Sequence, residues 1–302
     1  MRIIVAASTL ALALAISGCG LIGGQSGGEH GEAEHGEAHA EAGHGESAHG
    51  GGHGVQIGPA SAHASPAPHN PHAASAAHGA PHWEYRDQSS WASFAPGNSA
   101  CGAGHEQSPI NLSSASPMSE LADLSPFYLA KPGSFVNNGH TLQFTPDGAD
   151  SVLTIGNDAY TLLQFHFHSP AEHTLDRRAF PLELHLVHRN SLGQLAVLGV
   201  FIEEGPANDT LGALIAARPT GEGEDHATRL SVDPALLLPE DRAYYAYAGS
   251  LTTPPCSEGV RWNVLRATLT ASPAQIAALR ESLGASSRHV QPINDRTILF
   301  GS

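Results

Sequence analysis

The first 82 residues of this 302-residue chain contain no phenylalanine, tyrosine or tryptophan, and only one Arg or Lys, Arg2. All nine Phe, six Tyr and three Trp fall from Trp83 onward. A sizeable core can form only in residues 83–302, so composition argues for one folded domain. Positive charge is scarce there too, with 13 Lys and Arg against 23 Asp and Glu, a balance near −10. That balance disfavours a nucleic-acid partner. No internal repeat is evident and no strand–helix–strand alternation, which argues against a parallel sheet built from crossover units. The apolar run Ile3–Ala15 is too short for a comfortable membrane span.

Cysteine is also sparse, with Cys19, Cys101 and Cys256 only. The first follows Ile16-Ser17-Gly18, and the segment resembles the lipobox of bacterial lipoproteins. That resemblance implies cleavage before Cys19, so residues 1–18 are a signal peptide and the Cys19 thiol carries lipid. A leader without lipid is the competing reading. Gly20 in place of an aspartate leans towards the outer membrane, with the protein periplasmic or at the cell surface. An exported chain with Cys101 and Cys256 left over favours a disulfide, the alternative being two buried thiols. A bridge across so long a loop would contribute roughly 4–5 kcal/mol if unstrained.

Residues 19–82 read as a linker, low in complexity from Glu29 onward. Residues 29–82 hold 11 His and 6 Glu, the first six histidines (His30 to His53) recurring every four or five positions. Such a composition cannot offset the entropy of ordering, so a disordered tether is expected, spanning on the order of 45 Å. Three roles compete: a plain spacer, capture of zinc, and a proton-responsive segment whose charge moves from about −6 towards about +5 on acidification.

The chemistry gathers at Gln164-Phe165-His166-Phe167-His168. An aromatic-rich alternation reads as a strand, which puts Gln164, His166 and His168 on one face and the two phenylalanines on the other. Glu183-Leu184-His185-Leu186-Val187-His188 repeats the pattern and supplies His185. Three neutral nitrogen ligands leave one tetrahedral corner open, as a catalytic zinc requires. A pair of core histidines satisfied by carbonyls is the alternative for His-x-His alone.

Further short strands are expected at Thr141–Phe144, Ser151–Ile155, Ala159–His168, Leu182–Arg189, Ala196–Glu203, Tyr244–Gly249 and Trp262–Ala267. Helices are expected at Asn208–Arg218 and at Pro273–Leu283, the latter with Ser272 as N-cap and Gly284 beyond its end. The fold class is therefore mostly β: a large, mainly antiparallel twisted sheet with a few peripheral helices.

From about His82 to Phe300 the sequence resembles the alpha-class carbonic anhydrases of the bacterial exported type. The matching blocks are His82-Trp83 with Tyr85, QSPIN at 107–111, NNGH at 137–140, QFHFH at 164–168, AEHT at 171–174, ELHLVH at 183–188 and GSLTTPPCSEGVRW at 249–262. The resemblance implies zinc on His166, His168 and His185, with Gln164 and Glu183 accepting from His166 and His185. Zinc on neutral imidazoles keeps most of its charge and acidifies its water to near neutrality; this family is itself the reference case for that behaviour. The resemblance further makes Thr252 the gatekeeper that donates to Glu172, and Thr253 a contact to bicarbonate. Val187, Val197, Leu251 and Trp262 would wall the site for carbon dioxide, His140 would shuttle the proton, and Tyr85 and Gln143 would hold ordered water. Glu84 and Gln143 depart from residues common in the family, which touches the water network rather than the metal. Family members lacking a zinc histidine are non-catalytic binding modules, and this chain keeps all three. A zinc-sequestering lipoprotein and a binding module on the same scaffold are the competing functions, with weak ester hydrolysis a secondary activity.

Overall fold

The computed structural model describes residues 83–301. The expected signal peptide, Cys19 and the histidine-rich linker lie outside them. Short helical turns open the fold: a 3-10 segment at Tyr85–Ser90, then α1 (Trp91–Phe94) and α2 (Ala100–Ala103). The strands follow as β1 (Asn111–Leu112), β2 (Leu124–Phe127), β3 (Lys131–Asn137), β4 (Leu142–Pro146) and β5 (Val152–Ile155). Next come β6 (Asp158–His168), β7 (Thr174–Leu175), β8 (Leu182–Arg189), β9 (Leu195–Glu204) and the helix α3 (Asp209–Ala217). The chain continues through β10 (Asp225–Val232), β11 (Tyr244–Ser250), β12 (Glu258–Leu265), β13 (Leu269–Ala271), α4 (Pro273–Leu283) and β14 (Leu299–Gly301). No helix among the described residues is long and apolar enough to cross a membrane.

Twelve strands form one sheet with the central order β10-β3-β4-β6-β8-β9-β12-β11-β14. Pairing is antiparallel except where β12 and β13 run parallel to β9, so the sheet is mixed. A separate parallel pair joins β1 to β7.

Both faces of the sheet are buried, and they bury different things. Phe165, Phe167, Leu184, Leu186, Leu198 and Val200 point into one core, which also takes Leu211 and Leu214 of α3 and Ile276 and Leu279 of α4. Each fully buried Phe there contributes roughly 1.5–3 kcal/mol relative to exposure. Val187, Val197, Phe201, Tyr245, Tyr247, Trp262 and Val264 occupy the second core, beside the histidines. Local signals fix the covering helices. The Asn208 side chain caps α3 by accepting from Leu211 N at 2.9 Å. Ser272 and Gln275 cap α4 reciprocally, with Pro273 in its first turn and Gly284 at its end.

Candidate metal centre

Strand register builds the site. Gln143 of β4, His166 of β6, His185 of β8, Gly199 of β9 and Val264 of β12 lie in one row across the sheet. His168 stands two residues beyond His166 and therefore on the same face. All three imidazoles are buried, and one nitrogen from each lies within 4.8 Å of the others.

Hydrogen bonds fix which nitrogen each ring presents. An amide, backbone or carboxylate oxygen can only accept, so His166 Nδ1 donates to Gln164 Oε1 at 2.8 Å. His168 Nδ1 donates to the Ser286 carbonyl at 2.6 Å, and His185 Nε2 to Glu183 Oε1 at 2.9 Å. The nitrogens that converge are then Nε2, Nε2 and Nδ1. Burial holds His168 down to about 4 and lowers His185 as well, so these rings are neutral at physiological pH, as metal ligands must be. His168 Nε2 is buried without a hydrogen-bond partner, a position that costs stability unless something binds there. A metal ion fits this donor set: three converging imidazole nitrogens, no thiolate, and a buried nitrogen in need of a partner.

Glu183 orients more than one ligand. Its carboxylate accepts from the backbone N–H of Glu172 at 2.9 Å and of His173 at 2.8 Å, and from His173 Nδ1 at 2.7 Å, besides His185. Burial alone would raise its pKa, but the two imidazoles and their hydrogen bonds outweigh that and hold it well below the carboxylate range. His173 then accepts from the Tyr247 hydroxyl at 2.6 Å, and Tyr247 from Ser108 at 2.8 Å. Ser108 Oγ in turn accepts from Ser250 N at 3.1 Å, at the start of the loop bearing Thr252. His173, Glu183 and His185 also lie at metal-ligand distances, but their atoms are already engaged with one another. Gly199 makes room for this arrangement, since a Cβ there would sit 3.2 Å from Glu183 Oε1.

Glu172 faces the convergence point directly. Its Oε1 accepts from Arg288 N at 2.8 Å, while Oε2 lies 3.6 Å from His168 Nε2 and 3.9 Å from His185 Nδ1. Burial raises its pKa to about 7, opposed by the neighbouring His185, the Arg288 N–H and the Thr252 hydroxyl. Thr252 and Thr253 are buried, and Thr253 Oγ1 has no hydrogen-bond partner. Their loop is closed by Leu251 N to Ser257 O at 3.0 Å and Cys256 N to Thr253 O at 2.9 Å. The Cys101–Cys256 disulfide ties it to α2.

An apolar wall stands next to the imidazoles. Val187, Val197 and Trp262 are consecutive neighbours across β8, β9 and β12, and Leu251 joins their cluster. The Trp262 ring lies 4.9 Å from His185 and 4.8 Å from His173, its Nε1 donating to Ser250 O.

Comparison with known proteins agrees with this geometry. Residues 86–301 match the family described as eukaryotic-type carbonic anhydrase. A carbonic anhydrase of Pectobacterium carotovorum is 39% identical over 225 residues, covering 72% of this chain and 90% of that protein. Among solved structures, the Thermovibrio ammonificans alpha-carbonic anhydrase with the inhibitor sulfanilamide gives a TM-score of 0.71 at 38% identity. It covers 73% of this chain and 100% of its own. The Photobacterium profundum alpha-carbonic anhydrase gives 0.68 at 40%, covering 72% and 100%. The chain belongs to the alpha-type carbonic anhydrase family. It is thus an enzyme of the class that hydrates carbon dioxide.

Seen as a carbonic anhydrase, the molecule places the expected Tyr85 and His140 at a cleft of about 340 Å³ lined by Glu84, Tyr85, Arg86, Gly139, His140, Glu222 and Ala285. The NNGH turn sets His140 there: Asn138 Oδ1 accepts from His140 N at 3.0 Å and Thr141 N at 2.9 Å, and Gly139 takes φ +81°. Tyr85 places a buried hydroxyl nearby, and Gln143 donates to Thr145 at 3.2 Å while its Oε1 stays buried. Sequence reading missed the roles of Ser286, Arg288, His173, Tyr247 and Ser108. His173 and Ser108 stood in matched blocks without a part to play, and Tyr247 in an expected strand; Ser286 and Arg288 act here through backbone atoms, which leave no residue signature.

Proposed function

We propose that this enzyme is a zinc-dependent hydratase of carbon dioxide acting outside the cytoplasm, with His166, His168 and His185 as the zinc ligands. The observation that carries the reading is the convergence of three buried imidazole nitrogens beside Glu172 Oε2, one of them without a hydrogen-bond partner. When bound, zinc supplies a Lewis acid that lets water ionise near neutral pH, as is general for carbonic anhydrases. Thr252 donates its hydroxyl hydrogen bond to Glu172, which leaves an oxygen lone pair to accept from a group at the ligands that can donate. Val187, Val197, Leu251 and Trp262 offer apolar surface to a substrate that carries no net charge, and Thr253 has a hydroxyl available for the product. His140, at the cleft, receives the proton that each turnover releases.

Several features support export: the resemblance of the stretch ending at Cys19 to a lipobox, the apolar run before it, and a disulfide of the kind oxidising compartments allow. In this reading the mature protein is anchored to a membrane by lipid on Cys19. A zinc store or an inert binding module needs neither Glu172, Thr252 nor His140 in these positions, which weighs against both. Stopped-flow hydration of carbon dioxide by the full chain tests the proposal. Turnover abolished by a zinc chelator and restored by zinc is expected. Turnover indifferent to chelation that has removed all bound metal would overturn it.

A further inference from the structure

Residues 286–289 run between α4 and β14 without helix or strand of their own, yet they supply two backbone groups to the metal centre. Ser286 O accepts from His168 Nδ1, and Arg288 N donates to Glu172 Oε1. A strap with no ladder beside it has nothing regular to aim those groups, so side chains have to brace it.

Gln88, in the 3-10 segment that opens the fold, braces it from the far side. Its carboxamide donates from Nε2 to Ser287 O at 3.0 Å and accepts at Oε1 from His289 N at 2.9 Å. The other Nε2 hydrogen goes to Tyr85 O at 2.9 Å, which ties the amide to its own turn. Gln88 thus meets the strap as the peptide group of a neighbouring strand would. In an extended chain the backbone groups of successive residues point to opposite sides. Holding Ser287 O and His289 N on one side therefore turns Ser286 O and Arg288 N to the other, towards His168 and Glu172. Ser286 N follows the same alternation, donating inward to Ser169 O at 2.8 Å.

The buried Arg288 side chain carries the hold to the other half of the site. Its Nη1 donates to Ser108 O at 2.7 Å and its Nη2 to Cys101 O at 3.0 Å, while the guanidinium carbon lies 5.6 Å from the centre of the Trp91 ring. Cys101 is bonded to Cys256, at the end of the loop that bears Thr252. Arg288 therefore touches Glu172 through its backbone and the anchor of the Thr252 loop through its side chain. Thr252 and Glu172 are the two ends of one hydrogen bond, so its alignment depends on how the strap is held.

We propose that Gln88 is a positioning residue for the reaction: by clamping residues 287 and 289 it aims Arg288 N at Glu172 and keeps that carboxylate aligned with Thr252. The inference rests on the hydration of carbon dioxide proposed above.

The test uses the full chain and Gln88→Met, which keeps the length of the side chain and removes its three hydrogen bonds. With zinc loaded, kcat/KM for carbon dioxide is expected to fall about threefold to tenfold. In a Thr252→Ala background the same change should cost less than about twofold, because the alignment it serves is already lost. Amide hydrogen exchange by NMR on the metal-free chains supplies a readout apart from activity. Exchange at the Arg288 amide should quicken about tenfold in Gln88→Met, while the Cys256 amide, which donates to Thr253 O, keeps its parental rate. Parental exchange at Arg288 overturns the assignment, as does an equal fold-loss of kcat/KM with and without Thr252, which would mark a general loosening of the fold. A zinc-loaded parent that hydrates no carbon dioxide would overturn the reaction and this assignment with it, whereas parental exchange beside an active parent overturns the assignment alone.

Discussion

His185 and His188 stand three residues apart on β8, both wholly buried, and they do opposite things. His185 points to the face that carries Glu183, which fixes its tautomer and turns Nδ1 towards two other imidazoles. His188 points to the other face, among leucines and phenylalanines, where Nε2 meets the Tyr128 hydroxyl at 2.8 Å and the rings stack. Burial and residue type are therefore the same in both and decide nothing. What separates a ligand from a core histidine is the face of the strand, and that follows from a two-residue period.

The sharpest way to break this comparison is to remove each ring in turn. His185→Ala is expected to lose bound zinc and hydration activity together, beyond the roughly 10–100-fold typical of changes to residues that merely orient a ligand. His188→Gln should leave zinc content and kcat/KM unchanged. A large loss of activity in His188→Gln would show that the two faces are coupled after all. The next effect is smaller. Glu183→Gln keeps the shape but removes the charge that two imidazoles and two amides share, so a loss of zinc affinity of about 10–100-fold is expected by equilibrium competition with a chelator. Gly199→Ala crowds the same carboxylate from across β9 and should lower affinity in the same direction by less. Parental affinity in the Gly199→Ala variant would mean that Glu183 has room to spare.

The sequence exposed the parts of this site that obey local periods. Gln164, His166 and His168 were legible as one strand face from i, i+2 spacing, and the pairing of Glu183 with His185 came from the family resemblance, with which that spacing agrees. Helix α4 was legible to its ends, from Ser272 and Pro273 at one and Gly284 at the other. Register was not. That His166 sits opposite His185 depends on the β6–β8 pairing, which carries an irregularity between Leu162 and Gln164. The acceptor for His168 is a carbonyl 118 residues away, and the donor to Glu172 Oε1 is a backbone N–H 116 away. Any residue type supplies those groups, so no residue marks them. The short turns of Tyr85–Ser90, α1 and α2 have too little period to read, and β10 escaped because its alternation is weak at a sheet edge. Strand β12 begins at Glu258, earlier than the expected Trp262, because pairing with β11 continues through a bulge near Gly249.

Acid stability offers the gentlest probe of the two faces. Burial depresses His188 to about 3, outweighing the backbone groups that would raise it. The unfolded chain takes up a proton on this residue near pH 6.5, whereas the folded chain does not until near pH 3. The unfolded state therefore binds more protons between these limits. Stability from this group is whole above pH 6.5 and falls as the pH drops towards 3. At pH 5.5 the loss is on the order of 1 kcal/mol. His188→Gln cannot titrate, so its stability between pH 7.5 and 5.5 should decline by about that much less than the parent's, measured by denaturant unfolding of the metal-free chains. Parallel declines would mean that the His188 ring already shares a proton in the folded state. The apolar face of β8 would then be less dry than its neighbours make it, and the contrast with His185 would narrow.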